Sequence, residues 1–256
     1  MGVTTSSQGV KSIIILILMP LTYKNIQQSL RQYATLERKR KIEWFFKTAK
    51  GQYGEGDEFI GVTNPDIRKV ARQYKDINLQ EIELLLHSPI HEDRLCALIL
   101  LVNKNKKSTP EQRKDIANMY IVNLHYINNW DLVDLSAHYI LGRAIADDIQ
   151  PMRILSDLAH SPILWERRIA IISTMYFISQ GDINPSLKMA KKLLRDKEDL
   201  IHKAVGWTLR EAWKKSPQKV EQFTKDNYTQ LPRTTLRYAI ERFPEEKRLK
   251  FLRGEF

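Results

Sequence analysis

A single cysteine, Cys96, occurs among 256 residues. One thiol cannot close an intrachain disulfide, and six histidines without an HExxH spacing do not combine with it into a zinc site of the Cys/His kind. Its neighbours Leu95, Ala97, Leu98 and Ile99 mark Cys96 as a small buried hydrophobe rather than a nucleophile. His87 and His91 stand four apart, but Ser88-Pro89 between them interrupts any helix that would aim both rings at one ion. Glycine is scarce too: of ten residues, three fall in one stretch, Lys50–Asp57 (KGQYGEGD), which reads as a loop. It has the spacing of neither a P-loop nor a GxGxxG turn, and Glu55 and Asp57 would repel a phosphate. Long apolar runs are also missing. The longest, within Ser12–Leu21 (SIIILILMPL), is too short to span a bilayer as a helix. Three readings of it stand: an export signal, with Lys11 as basic flank but no small-x-small cleavage pattern after it; an interfacial anchor; or an upstream extension from a misplaced start, with Met19 as the true one. The last is favoured, so residues 1–22 are expected to be an N-terminal extension and 23–256 the folded domain.

Acidic residues are outnumbered, 30 against 41 Lys plus Arg, for a net charge of +11. The excess is spread along the chain in runs such as Glu37–Lys41 (ERKRK) and Lys104–Lys107 (KNKK), and a polyanion is the natural partner of such a surface. At 43% hydrophobic and 28% charged, the composition is that of a globular soluble protein, one large domain or a continuous repeat array.

From Tyr23 onward the apolar residues recur at helical spacing with almost no strand-like alternation. Helices are predicted at about 23–48, 65–74, 79–87, 91–104, 110–125, 129–146, 150–159, 164–178, 185–195, 198–215, 218–226 and 232–242, with a short one after Pro244. The chain is therefore expected to be all-α. Two helix entries are alike, HSPIHEDRLCALILL from His87 and HSPILWERRIAIIS from His160, each with an Arg seven residues after the His (Arg94, Arg167) and an Ala three further on (Ala97, Ala170). Their separation is two helix pairs of roughly 36 residues each, and DKEDLIHKAVGW from Asp196 falls about one more period along. This spacing predicts a HEAT-like or armadillo-type α-solenoid of antiparallel helix pairs, with a concave basic face that receives an extended partner.

Within NNWDLVDLS (Asn128–Ser136) a tryptophan and a carboxylate, Trp130 and Asp134, stand four apart and so share one face of a helix. On a helical wheel Leu132, Val133, Ser136, Tyr139, Ile140 and Ala144 form the buried arc; Trp130, Asp131, Asp134 and His138 lie opposite. The helix around Gly206 has a small apolar face of Ala204, Val205, Leu209 and Ala212, and across from it a stripe of Lys203, Trp207, Arg210 and Lys214. Cations for phosphates and an indole for a sugar or base are what a nucleic-acid surface requires; a cation–π cluster without function is the competing reading. In LWERRIA, Trp165, Ile169, Ile172 and Tyr176 share a face, and Arg168 at its edge is expected to point outward.

Taken in order, FFKTAKGQYGEGDEFIGV (from Phe45), NNWDLVD, LWERRIA and HKAVGWTLREAWK resemble the AlkD-like DNA alkylation repair family, DNA glycosylases of HEAT-like repeats, over most of the length from about Tyr23. The resemblance implies that Asp134 is the catalytic carboxylate, that Trp130 and Trp207 flank the damaged nucleotide's deoxyribose, and that Arg168 contacts the DNA backbone with Arg210 in support beside Trp207. Lys203 on the same stripe is expected to bind DNA. The family's aromatic residue near the first helix, often tyrosine, is matched most nearly by Phe45, which lacks the hydroxyl. The implied activity is excision of cationic alkylpurines such as 3-methyladenine and 7-methylguanine from duplex DNA, without base flipping, cofactor or metal, by a cytoplasmic, nucleoid-associated monomer with no membrane attachment. The rival expectation is a non-catalytic HEAT-repeat module that grips damaged or branched DNA, or a protein-binding scaffold.

Overall fold

Helix α1 (Tyr23–Arg31) begins just inside the region described by the computed structural model, residues 21–256. The alternatives for Ser12–Leu21 and Met19 concern residues that lie outside it, Leu21 apart. The single helix expected over 23–48 is instead two, because Thr35 adopts an extended backbone and its hydroxyl accepts the Arg38 N–H at 3.3 Å, starting α2 (Leu36–Phe45) afresh. Thr63, Asn78 and Thr109 cap the helices that follow in the same way: α3 (Asn64–Gln73), α4 (Leu79–Leu86) and, after α5 (His91–Lys107), α6 (Pro110–Val122). Next come α7 (Trp130–Ala137), continued by a π turn at His138–Gly142 into α8 (Arg143–Ala146), then α9 (Arg153–Ala159), α10 (Leu164–Ser173) and α11 (Met175–Ser179). The chain closes with α12 (Asn184–Leu193), α13 (Asp199–Trp213), α14 (Pro217–Asp226), α15 (Arg233–Ala239) and α16 (Glu245–Arg253). Among the described residues there is no strand, only an isolated bridge between Glu58 and Ile90, and no helix is long and apolar enough to cross a membrane.

Helices α5, α7, α10, α13 and α15 pack side by side in that order, while α9, α12 and α14 back onto them from a second layer. This is an α-solenoid, as the repeated entries predict. The repeat is physical as well as textual. Arg94 Nη1 donates to the carbonyls of Ser88 (3.1 Å) and Pro89 (2.8 Å), and Arg167 Nη1 to those of Ser161 and Pro162 (both 3.0 Å), so each arginine clamps the Ser-Pro turn ahead of its own helix. Buried carboxylates complete both clamps, Asp57 for Arg94 and Asp196 for Arg167. Between the layers run side chains such as Leu98, Leu132, Val133, Ile169, Ile172, Val205 and Leu209, none more than 1% exposed. Cys96 lies among them, with burial pushing its thiol far above the usual range.

The wheel misplaces Tyr139, just beyond α7. Expected in the core, it is 40% exposed under the Lys106 ammonium. It stands inside the π turn, whose wider winding shifts the phase that a 3.6-residue wheel assumes. Gly142 in that turn lets α10 come close: a Cβ there would sit 2.1 Å from the Ser173 carbonyl oxygen. Gly206 does the same between α13 and α15, where a Cβ would meet Tyr238 Cβ at 2.5 Å and Thr235 O at 2.7 Å. The close crossing brings Tyr238 within reach of the α13 stripe.

Candidate active site

Successive helices of one layer each contribute to a cleft of about 680 Å³. Trp130 and Asp134 come from α7, Arg168 from α10, Lys203, Trp207 and Arg210 from α13, and Phe45 from the end of α2. The seven candidates named from sequence thus line a single cleft. A larger hollow, about 970 Å³, opens between α3, α4 and the junction of α5 with α6, but it is lined by cations such as Arg72, Lys75 and Lys104 and has no aromatic wall to receive a sugar or base.

Asp134 is one of three carboxylates in the cleft wall, and its surroundings differ from expectation. Arg168 does not point outward. Its guanidinium is buried, with Nε donating to Asp134 Oδ1 at 2.8 Å, Nη2 to Oδ2 at 2.8 Å and Nη1 to the Leu200 carbonyl at 2.5 Å. The reason is geometric: the repeat clamp takes Arg167 to the turn side of α10, and the next residue, about 100° further round, then faces α7 and the start of α13. A side chain held by three hydrogen bonds in this way is placed to orient Asp134. Burial raises the Asp134 pKa above the ordinary carboxylate value, Arg168 opposes the rise, and Asp131 adds to it. The Asp134 side chain keeps 17% of its surface exposed, enough to touch a ligand in the cleft.

Trp130 is stacked from behind. Phe46 lies against its ring at 5.3 Å and 14°, Phe59 against Phe46 at 5.1 Å, and His91 against Phe59 at 4.5 Å, while Phe45 meets Trp130 edge-on at 6.0 Å. Beneath the stack Asn129, fully buried, caps α7 by accepting the Trp130 N–H at 2.8 Å and donates to Asp57 Oδ2 at 2.8 Å. Asp57 also receives Arg94 at 2.6 Å and Asn128 at 3.2 Å. The KGQYGEGD loop, to which no role could be given from sequence, therefore pins the first turn of α7. It also brings Tyr53 to the cleft wall, set edge-on to Trp165 at 6.1 Å. Tyr53 supplies a phenolic hydroxyl that Phe45 lacks. Asp131, placed by the wheel beside Trp130 and Asp134, turns away to pair with His91 Nε2 at 2.9 Å. Burial, the largest influence, lowers the pKa of His91, but Asp131 and Asp57 outweigh it and raise it to about 9. His138 is partly buried instead of facing the cleft, and burial lowers its pKa to about 4.

The cations of the α13 stripe are not free. Lys203 pairs with Asp199 at 2.8 Å, Arg210 with Glu241, and Lys214 with Glu211 at 2.6 Å. Lys214 lies off the cleft, whose wall holds four cations (Lys47, Arg168, Lys203, Arg210) against three carboxylates (Asp134, Glu198, Asp199). The positive excess of the chain is not concentrated here.

With this geometry in place, the comparison with known families is decisive: a family model described as DNA alkylation repair enzyme matches residues 26–243. The chain belongs to the DNA alkylation repair enzyme family. A solved structure described as a predicted DNA alkylation repair enzyme from Enterococcus faecalis has the same fold, with a TM-score of 0.65 and 19% identity over 83% of this chain and 97% of that one. No curated protein matches the chain. Within this DNA alkylation repair enzyme, sequence reasoning missed Phe46, Tyr53, Asp57, Asn128, Asn129 and Tyr238. Asn129 alone carried a usable signal, an asparagine immediately before a helix; the others depend on contacts distant in sequence.

Proposed function

We propose that this DNA alkylation repair enzyme is a monofunctional glycosylase that hydrolyses the N-glycosidic bond of cationic alkylpurines, 3-methyladenine and 7-methylguanine, in duplex DNA. The observation that carries the reading is one cleft holding an arginine-clamped carboxylate, Asp134, together with two indoles, Trp130 and Trp207. A purine alkylated at ring nitrogen 3 or 7 bears a positive charge, so the bond from C1′ to the ring nitrogen can break without a proton donor. Its electron pair passes to the purine, which leaves neutral, and positive charge develops on the deoxyribose. Asp134 stabilises that charge across the cleft, and the π faces of Trp130 and Trp207 attract the same cation. Water then adds at C1′ and releases a proton, with Asp134 as its acceptor, leaving an abasic site. Arg168 is the positioning residue that holds the carboxylate ionised and aimed. Tyr53 and Tyr238 complete the wall, and Lys203 and Arg210 meet the backbone by exchanging carboxylate partners for phosphates. On this reading the nucleotide reacts in the cleft without rotating into an enclosing pocket.

The test is incubation of the purified protein with duplexes carrying defined lesions, with the released bases identified. Release of 3-methyladenine and 7-methylguanine, with uracil and 1,N6-ethenoadenine left in place, is the expected result. Rapid uracil release, or no release of any cationic base, overturns the reading.

A further inference from the structure

Helix α2 is the one helix of ten residues in the described chain that buries nothing. Leu36, Arg40 and Trp44, at i, i+4 and i+8, form a stripe along its outer side, with Leu36 77% and Trp44 83% exposed. Trp44 is the most exposed of the large hydrophobic side chains described, and an indole this open forgoes its burial. The Trp44 Nε1–H has no partner and its ring meets no other ring among the described residues. The neighbouring stripe on the same helix carries Lys41 and ends in Phe45, which enters the cleft and touches Trp130. Trp44 therefore stands on the lip of the proposed active site.

Charge along this lip is more strongly positive than in the cleft. From Glu37 to Lys50 there are six Lys and Arg against two Glu. Arg38, Lys39 and Lys41 have carboxylate neighbours (Asp66, Glu43, Glu37), but Arg40, Lys47 and Lys50 have no ion pair among the described residues. Helix α2 is roughly 15 Å long, the span of about four base-pair steps. An unpaired guanidinium one turn from an open indole matches a phosphodiester strand, on which the cation meets a phosphate while the ring lies against a sugar or base. A second copy of the chain is a poorer occupant, since one exposed stripe of a three-turn helix falls well short of the ~800 Å² per partner of a stable dimer.

We infer that α2 is a DNA-gripping lip of the cleft, with Trp44 packing against a nucleotide that flanks the lesion and Arg40 contacting its backbone. The inference rests on the proposed action on duplex DNA and names a contact outside the reacting centre. It adds grip beyond what the nearly balanced charges of the cleft supply.

The experiment measures equilibrium binding, by fluorescence anisotropy, of the full chain and its Trp44→Ala, Trp44→Phe and Arg40→Ala variants to a duplex with a stable tetrahydrofuran abasic analogue. Trp44→Ala should raise Kd about tenfold, from the loss of one aromatic contact, with an unchanged melting temperature, and Trp44→Phe should recover most of the loss. Arg40→Ala should lower the log–log salt slope by about 0.9, which Trp44→Ala should not. The Trp44→Ala defect in base release should lie in the protein concentration required and be recovered at saturating protein. If the parent excises and binds while Trp44→Ala binds equally well, the lip is wrong and the glycosylase reading stands. If the parent releases no base yet loses DNA affinity on Trp44→Ala, the lip stands and the glycosylase reading falls. A change in sedimentation with no change in DNA affinity would assign the stripe to self-association and overturn the inference.

Discussion

Both oxygens of Asp134 face guanidinium nitrogens of Arg168, each at 2.8 Å, across the boundary between α7 and α10. A carboxylate buried without such a partner would be protonated more readily, because burial disfavours its charge. The ion pair keeps a base available at the floor of the cleft, at the expense of part of its field. Arg168 thereby opposes the protonation of Asp134 that burial favours.

This relationship sets a pH dependence. The Asp134 pKa lies above the ordinary Asp value because burial outweighs Arg168, so the ionised, active form is lost as pH falls through a point above ~3.9. Arg168→Ala removes the opposing cation and should move the acid limb of the single-turnover rate to higher pH; Arg168→Lys should move it less. If the acid limb of Arg168→Ala coincides with that of the parent, the guanidinium does not control the carboxylate.

Asp134→Asn keeps the size of the side chain and one hydrogen-bond acceptor for Arg168 while removing the charge. Excision of 7-methylguanine should fall by ~10²-fold, about 3 kcal/mol of transition-state stabilisation, with affinity for an abasic duplex close to that of the parent. Single-turnover base release at saturating protein measures it, and a rate within twofold of the parent removes Asp134 from the chemistry.

Much of this site was legible in the chain because it is written at helical spacing. Trp130 with Asp134 and Lys203 with Trp207 are four-residue pairs, so the wheel put each pair on one face, and all line the cleft. What escaped was set by partners distant in sequence. Arg167 and Arg168 are adjacent and chemically identical, yet one clamps a turn and the other a carboxylate, because Asp196 and Asp134 lie on opposite sides of α10. Asp131 and Asp134 likewise part company only because His91 waits on the α5 side. The π turn at His138–Gly142 falls where the apolar pattern continues unbroken, so periodicity alone runs through it.

The buried group of His91, Asp131 and Asp57 gives stability its own pH window. Burial tends to raise the Asp57 pKa, but His91, Arg94 and Asn129 together hold it down at about 2. Its contribution is therefore full above ~3.9 and lost as pH falls toward 2. His91 is raised to about 9, so its contribution is full below ~6.5 and lost as pH rises through 9. Tm should be highest between ~4 and ~6.5. His91→Gln should lower Tm within that window and flatten the decline between ~6.5 and 9, read by thermal unfolding in buffers of constant ionic strength.

Gly206 sits where α13 crosses α15, and an added methyl would overlap both Tyr238 Cβ and the Thr235 carbonyl. Gly206→Ala should destabilise by ~1–3 kcal/mol through overpacking, against up to ~1 kcal/mol gained in helix propensity. The displaced α15 would carry Tyr238 away from the cleft wall, so base excision should drop at temperatures where the variant is still folded. Urea unfolding beside an activity measurement separates the two effects; a variant as stable and active as the parent shows that the crossing is softer than its contacts imply.

Trp130 and Trp207 enter the same cleft from different helices, and among the described residues only Trp130 has aromatic rings stacked behind it, Phe46, Phe59 and His91. If both π faces attract one sugar cation, each alanine variant should slow excision of cationic lesions, by about tenfold for an interaction near 1.4 kcal/mol, and the double variant should fall furthest. The two losses should combine less than additively, since the rings address one charge and removing either lets the sugar shift. Trp130→Ala should also reduce Tm, through the collapse of the stack behind it, whereas Trp207→Ala should leave Tm nearer that of the parent. Single-turnover rates on 7-methylguanine duplexes for the parent, both single variants and the double variant complete the cycle, with Tm recorded for each. Full activity in the double variant would mean that the sugar cation forms elsewhere and that Asp134 acts without indole walls.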